Sequence, residues 1–300
     1  DGSARHGIIA GTYTSAGSAV TVTPTVATVT AGTALTGAAV QTAMGANTAV
    51  FDAGAFGSAP FSGADFASPF LTPAATDTFI EAIYRKQIGS DAHLVAWLSM
   101  RVWSSGQVEA LPWVENGYMR VAGPTSKSAT YSFTFGGTSR FSALIDLPHH
   151  ARTPLVSGAL LSHWLATDPA VVPKHNADYM MSTRLVPTYS ATVSPAAAVV
   201  TALPSTYTPL QVGSYTADMP STGYHPDIGI LPEWDVLYLT CTASSVWSAL
   251  QRNAYSAGRW GVYYRHEATN RVPLFSTNPN WSTNSSTTGD LPPTPTGTSP

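Results

Sequence analysis

Ionisable side chains are scarce in this chain: 14 Lys and Arg with 17 Asp and Glu make only 10% of 300 residues, against about 25% in an average soluble domain. The basic residues form no cluster beyond the pair Arg85-Lys86. The positive stripe that meets nucleic-acid phosphates is therefore missing, and nucleic-acid binding is disfavoured. Cysteine is almost absent. Cys241 alone excludes an intramolecular disulfide. Its setting in LYLTCTAS has no nearby cation to stabilise a thiolate, which favours a small packing residue over a reactive thiol. No apolar run approaches about 18 residues, so no membrane-spanning helix is expected.

Catalytic signatures are missing as well. GxSxG does not occur, so no nucleophile elbow is indicated. The Gly-rich stretches lack the lysine and the strand-to-helix setting of a phosphate loop. No cofactor is expected. The chain opens at Asp1 without a signal-peptide pattern, which leaves open a removed leader or a piece of a longer polypeptide.

In place of charge the chain has Gly 24, Pro 23 and long tracts of Ala, Ser and Thr. Such a surface suits secreted, cell-surface and virion proteins better than cytoplasmic enzymes. The length allows one large or two ordinary domains with a real core.

Residues 1–50 read as an extended Ala/Thr/Gly-rich arm. Its stretch AVTVTPTVATVT alternates with period two, and Pro24 confines any strand there to an edge or a bulge. The arm is expected to drape over a neighbouring subunit. Residues 51–190 read as an antiparallel β-sandwich. It starts with Phe51, Phe56, Phe61, Phe66 and Phe70 on a loop that drops aromatics into a core. Residues 78–88 fit a strand or a short helix. Residues 93–103 form the clearest strand, with Leu94, Ala96, Leu98, Met100 and Val102 on one face and Val95, Trp97 and Trp103 on the other, as in a central strand. The return over 108–114 contains Pro112, which places it near an edge or a bulge. A hairpin follows, with Gly136-Gly137 turning 129–135 into 139–147. Tyr131, Phe133 and Phe135 are expected on the same side as Phe141, Ala143 and Ile145.

Residues 191–223 look like a Pro/Ser/Thr-rich linker with a short helix near 196–203. Residues 224–268 read as a helical hairpin: Asp227 is a candidate N-cap, Pro232 falls in the first turn, and Gly258 ends the second helix as a C′ residue. Residues 269–300 read as a flexible low-complexity tail.

Four stretches, EALPWVENGYMRVAGP, SHWLATDPAVVPKHNADY, HPDIGILPEWDVLYLT and AGRWGVYYRHEATNRVPLFS, resemble a group of large, poorly characterised proteins of bacteria and their phages. The resemblance covers roughly residues 90–280. It implies a β-sandwich followed by helical hairpins like the opening of an (α/α) toroid, a pairing also found in polysaccharide lyases and related hydrolases. No catalytic signature defines the group.

The best chemical constellation is His225, Asp227, Glu233, Asp235, Tyr263, Arg265, His266 and Glu267. A lyase would use Tyr263 or His266 as base, with Arg265 neutralising the substrate carboxylate. A glycosidase would pair Glu233 with Glu267. The plainer reading makes Glu233 a first-turn carboxylate and 265–267 a solvated strand end. Trp260, Tyr263, Tyr264 and Trp234 are the candidates for stacking on sugar rings, although most Trp residues of a β-sandwich are core. Among His149, His150, His163 and His175, with Asp168 and Asp178, the spacings match no standard metal-ligand pattern. On a strand, His149 and His150 would point to opposite faces. These histidines read as structural, and no metal is expected.

The expectation is a non-catalytic, β-rich extracellular, cell-surface or virion protein. It would assemble with copies of itself or a partner, with a glycan as a further contact. The alternative is the N-terminal part of a polysaccharide lyase or glycoside hydrolase, its toroid completed beyond residue 300.

Overall fold

Apolar residues at every second position set the longest sheet elements of the described chain as antiparallel strands. The computed structural model describes residues 32–118, 126–172, 175–176, 178–179, 196–214, 231–241, 243–261, 263–266, 269–274 and 276. Its strands are β1 (Ala49–Asp52), β2 (Ser58–Phe61), β3 (Leu71–Ala75), β4 (Phe79–Gln87), β5 (Leu94–Trp103), β6 (Val108–Asn116), β7 (Lys127–Phe135), β8 (Thr138–Leu147), β9 (Ala151–Pro154) and β10 (His163–Trp164). Its helices are α1 (Gly37–Met44), α2 (Ala197–Thr201), α3 (Glu233–Thr240) and α4 (Ser244–Ser256). The fold is mainly antiparallel β with a few helices.

Two sheets form. One has the order β2-β1-β7-β8, the other β10-β6-β5-β4-β3, with β9 also paired to β6. Both supply one buried apolar cluster, with Phe51, Phe133 and Phe141 from the first and Ala82, Leu98 and Met100 from the second. Each buried Phe contributes on the order of 2–3 kcal/mol of transfer free energy. The β7–β8 hairpin follows the expected register. Tyr131 faces Ala143 and Phe133 faces Phe141, and Gly136 and Gly137 both take positive φ in the turn. β5 is central, between β4 and β6.

β6 resolves the Pro112 question. It is paired on both sides, yet Pro112 falls between the short partners β9 and β10. The Pro112 carbonyl accepts from the Leu155 N–H on that side (2.8 Å). A strand residue's N and O point the same way, so the missing N–H faces Leu155 just past the β9 ladder, where the Leu155 carbonyl is bonded by His163 Nε2 instead (2.8 Å).

The outer face of the six-stranded sheet carries cross-strand rows. Arg101 stands between Glu81 and Glu109, with ion pairs of 3.3 and 3.4 Å. Further along, Tyr255 of α4 packs on Trp113 (ring centroids 5.5 Å apart) and on Tyr207 (5.7 Å). Two aromatic faces thus cover what would otherwise be wet apolar sheet.

Several expectations change. Residues 37–44 are helical and 49–52 form β1, with Val40, Met44, Ala49 and Phe51 buried, so the reading of 1–50 as one extended arm fails over its last part. Residues 1–31 lie outside the described residues. The stretch 78–88 is strand. In the Phe-rich stretch Phe51, Phe61 and Phe66 are buried, whereas Phe70 is 40% exposed. The 191–223 stretch has the short helix α2, but it is no surface linker throughout. Tyr207 is buried, and its hydroxyl shares a 2.9 Å hydrogen bond with Thr153. Asp227 is outside the described residues, and α3 begins at Glu233 with Pro232 as its N-cap. Gly258 lies in a 3-10 turn, Ala257–Arg259, without positive φ. Its reason is close approach: a Cβ there would run into the Arg152 carbonyl. Cys241 caps α3 and is half-buried.

Candidate functional site

Where the chain returns from α4 to the end of β6, polar groups converge. Cross-strand register sets Trp97 and Glu115 as diagonal neighbours on β5 and β6. The Trp97 indole N–H donates to one Glu115 carboxylate oxygen (2.8 Å), and Arg265 Nε donates to the other (2.9 Å). Arg265 is 3% exposed. Its remaining nitrogens donate to Asn270 Oδ1 (2.7 Å) and to the His93 carbonyl (3.0 Å), and its guanidinium lies 4.0 Å from the centre of the Tyr118 ring. The backbone joins in, because the Arg265 N–H donates to the Gly117 carbonyl (2.8 Å). Such saturation is what a buried ion pair needs to offset its desolvation.

Beside this pair lie three buried histidines, His93, His149 and His150. His149 and His150 sit in the turn before β9, not on a strand, with ring centroids 3.6 Å apart. His150 takes φ +62°, a left-handed conformation unusual for a non-glycine residue. Its N–H donates to the Asn116 carbonyl (2.6 Å), and its own carbonyl accepts from the Tyr263 N–H (3.0 Å). The Tyr264 ring packs edge-on against its imidazole (4.6 Å). Burial first, then the neighbouring His149, pushes the His150 pKa down to about 3. At neutral pH it is an uncharged packing group. Among the described residues no cluster of three His, Cys, Asp or Glu has the geometry to hold a metal. His163 is buried and donates from Nε2 to the Leu155 carbonyl (2.8 Å); His175 bonds the Leu239 carbonyl (3.1 Å).

On the rim, Arg85 lies 4.1 Å above Phe70 and 5.2 Å from Trp97, with Nη1 donating to the Asn270 carbonyl (2.6 Å). Arg271 approaches the same Phe70 ring at 5.6 Å. Burial, and after it the Arg265 charge, pulls the Arg85 pKa below the usual guanidinium range. Asn270 and Arg271 are thus held against the sheet, so the expectation of a free tail from 269 onward fails at these two residues, while Val272 and Leu274 are exposed.

The candidate residues divide between two places. Tyr263, Arg265 and His266 belong to the clasp just described. Tyr263 is half-buried under the Arg152 guanidinium (4.9 Å), and the backbone of His266 closes a turn with Asn270 and Arg271. Glu233 and Trp234 instead line a groove of about 410 Å³ between α2 and α3, with Val199 and Leu203 opposite, and none of the clasp residues lines it. Burial raises the carboxyl pKa of Asp235, also on α3. His225, Asp227 and Glu267 lie outside the described residues. Arg265, read as a neutraliser or a solvated strand end, is neither, since all its nitrogens are committed to protein partners. Trp260, Tyr263 and Tyr264 are each half-buried. Trp103 and Trp164 stack on each other at 5.4 Å.

Sequence reasoning missed Glu115, Trp97 and the histidine pair as parts of this centre. The usable signal was Glu115 in PWVENG, an acid on the outward face of a strand flanked by Trp113. No protein-family model matches the chain, and no curated protein or solved structure matches it.

Proposed function

We propose that this is a non-catalytic structural or attachment protein of an extracellular or virion-surface assembly, self-associating and contacting carbohydrate. The reading includes a finer view of the fold: the two sheets form a β-sandwich, and α3 with α4 forms a helical hairpin against it. One observation carries the proposal. Both Glu115 oxygens and every Arg265 nitrogen are engaged by protein groups, so the densest polar centre is a fastener for the 263–271 segment and offers no acid, base or neutralising cation. The low charge supports the location. For carbohydrate contact, Trp234 is the best placed of the candidates, because it lines the groove of about 410 Å³ together with Glu233.

The test combines light scattering behind size exclusion with a polysaccharide panel, reading binding and unsaturated-product absorbance in the same wells. A defined oligomer without turnover is expected. Turnover of any uronate polymer, lost in Glu233→Gln, would sink the proposal in favour of a polysaccharide-degrading enzyme.

A further inference from the structure

Five strands end the two sheets, and they differ in how their edges are protected; β9, paired only with β6, has four residues and ends in Pro154. β2 contains Pro60, and its outward carbonyls are taken: Ser58 O by the Gly89 N–H (3.0 Å) and Pro60 O by Lys86 Nζ (2.7 Å). β3 is five residues long, contains Pro73 and has a register shift between Leu71 and Ala74. β10 is two residues long. These are the usual devices that stop a sheet from pairing with another chain. β8 has few of them. It is ten residues long, without proline or lysine, and β7 occupies one side only. The β7 ladder takes the backbone groups of 141, 143, 145 and 147, so those of Ser142, Leu144 and Asp146 face the open side, where no described residue hydrogen-bonds to them; the Asn116 amide bond to Leu147 O (3.1 Å) lies at the end of the hairpin ladder. The register shift opposite Phe133/Thr134 confines the irregularity to Arg140 and leaves 141–147 evenly paired. On the outward face Ser142 and Asp146 are exposed, and Leu144 is 75% exposed.

We infer that the open edge of β8 pairs antiparallel with β8 of a second copy of this chain, about a two-fold axis at Leu144. This rests on the self-association part of the proposed function and names its surface. The sequence of 141–147 is self-complementary in that register. The two Leu144 side chains oppose each other and leave water. Ser142 opposes Asp146 twice, so that each hydroxyl donates to a carboxylate that has no ion pair among the described residues. On the inner face Phe141 opposes Leu147 and Ala143 opposes Ile145, which extends both cores across the axis. No like charges meet. The two four-stranded sheets become one continuous sheet, and the isologous contact closes the assembly at two copies. Edge pairing of this length is small beside a standard interface of about 1,600 Å², so the association is concentration-dependent.

The full chain is measured by light scattering over a concentration series, with two variants. Leu144→Arg sets two cations face to face at the axis and moves the monomer–dimer midpoint up by roughly tenfold or more; its exposure in the monomer leaves the fold, read by circular dichroism, unchanged. Leu144→Cys in a Cys241→Ser background gives a covalent dimer on oxidation, because directly opposed residues of an antiparallel pair lie within disulfide range. An oligomer that survives Leu144→Arg and fails to cross-link overturns the β8 pairing and leaves self-association standing. A wild-type monomer at every concentration overturns both.

Discussion

Replacing Arg265 with methionine keeps much of the side chain's length and removes its charge and all its donors. The substitution strips Glu115 of its ion pair (2.9 Å), the His93 carbonyl of a 3.0 Å donor and Asn270 of a 2.7 Å donor. Glu115 keeps only the Trp97 indole and becomes a buried, uncompensated carboxylate. Breaking one side of such a pair costs about 3–5 kcal/mol. Divided by a urea m-value of about 3 kcal/mol/M, the cost lowers the midpoint by roughly 1–2 M. Adding Glu115→Gln to the same chain removes the stranded charge and recovers part of the loss, so the two changes are strongly non-additive. Urea denaturation followed by tryptophan fluorescence measures the wild type, both single variants (Arg265→Met and Glu115→Gln) and the double. A midpoint within about 0.3 M of wild type for Arg265→Met would refute the fastener argument, and with sugar affinity lost it would restore Arg265 as a ligand-facing group.

Two further predictions concern the same side of the molecule. His150 titrates near 6.5 when unfolded and near 3 when folded, so the unfolded chain binds more protons between those values. Stability is then full above pH 7 and falls as the pH drops through that window, by about 2 kcal/mol at pH 5; the lowered pKa of His163 acts in the same direction. Unfolding free energies at pH 7.5, 6 and 5 should show the slope, and His150→Asn should flatten it; an unchanged slope in that variant would remove His150 as its source. At Gly258 both Ala and Asn place a Cβ against the Arg152 carbonyl and should cost about 1–3 kcal/mol each, read as a shift in thermal midpoint. A tolerated Asn would instead restore the left-handed C′ role.

Local pattern accounts for what was legible. The β7–β8 hairpin announces itself because period-two alternation and Gly136-Gly137 agree, and β5 does so because both its faces are apolar, as the middle of a sheet requires. α1 was hidden for the opposite reason. GAAVQTAM contains good helix formers but spans only eight residues, Gly37 to Met44, and has no capping side chain, and its helix is held by Val40 and Met44 packing into the core. The site was less legible than the fold. Arg265 and Glu115 are 150 positions apart, and only the register of β5 on β6 decides that Trp97 shares the carboxylate. The contact between His149 and His150 was not legible because nothing in the sequence marks a left-handed turn at a histidine.

The hydrogen bond from Tyr263 to His150 also bears on the order of events. It joins the two ends of a loop of about 110 residues that carries β9, β10 and, among the described residues, the helices α2, α3 and α4. Closing a loop of that length costs about 4 kcal/mol of chain entropy, and neither end has a docking surface until β6 is paired with β5. The loop cost therefore favours an order in which the sheets assemble first and the fastener shuts late, bringing the described helices after α1 onto the core.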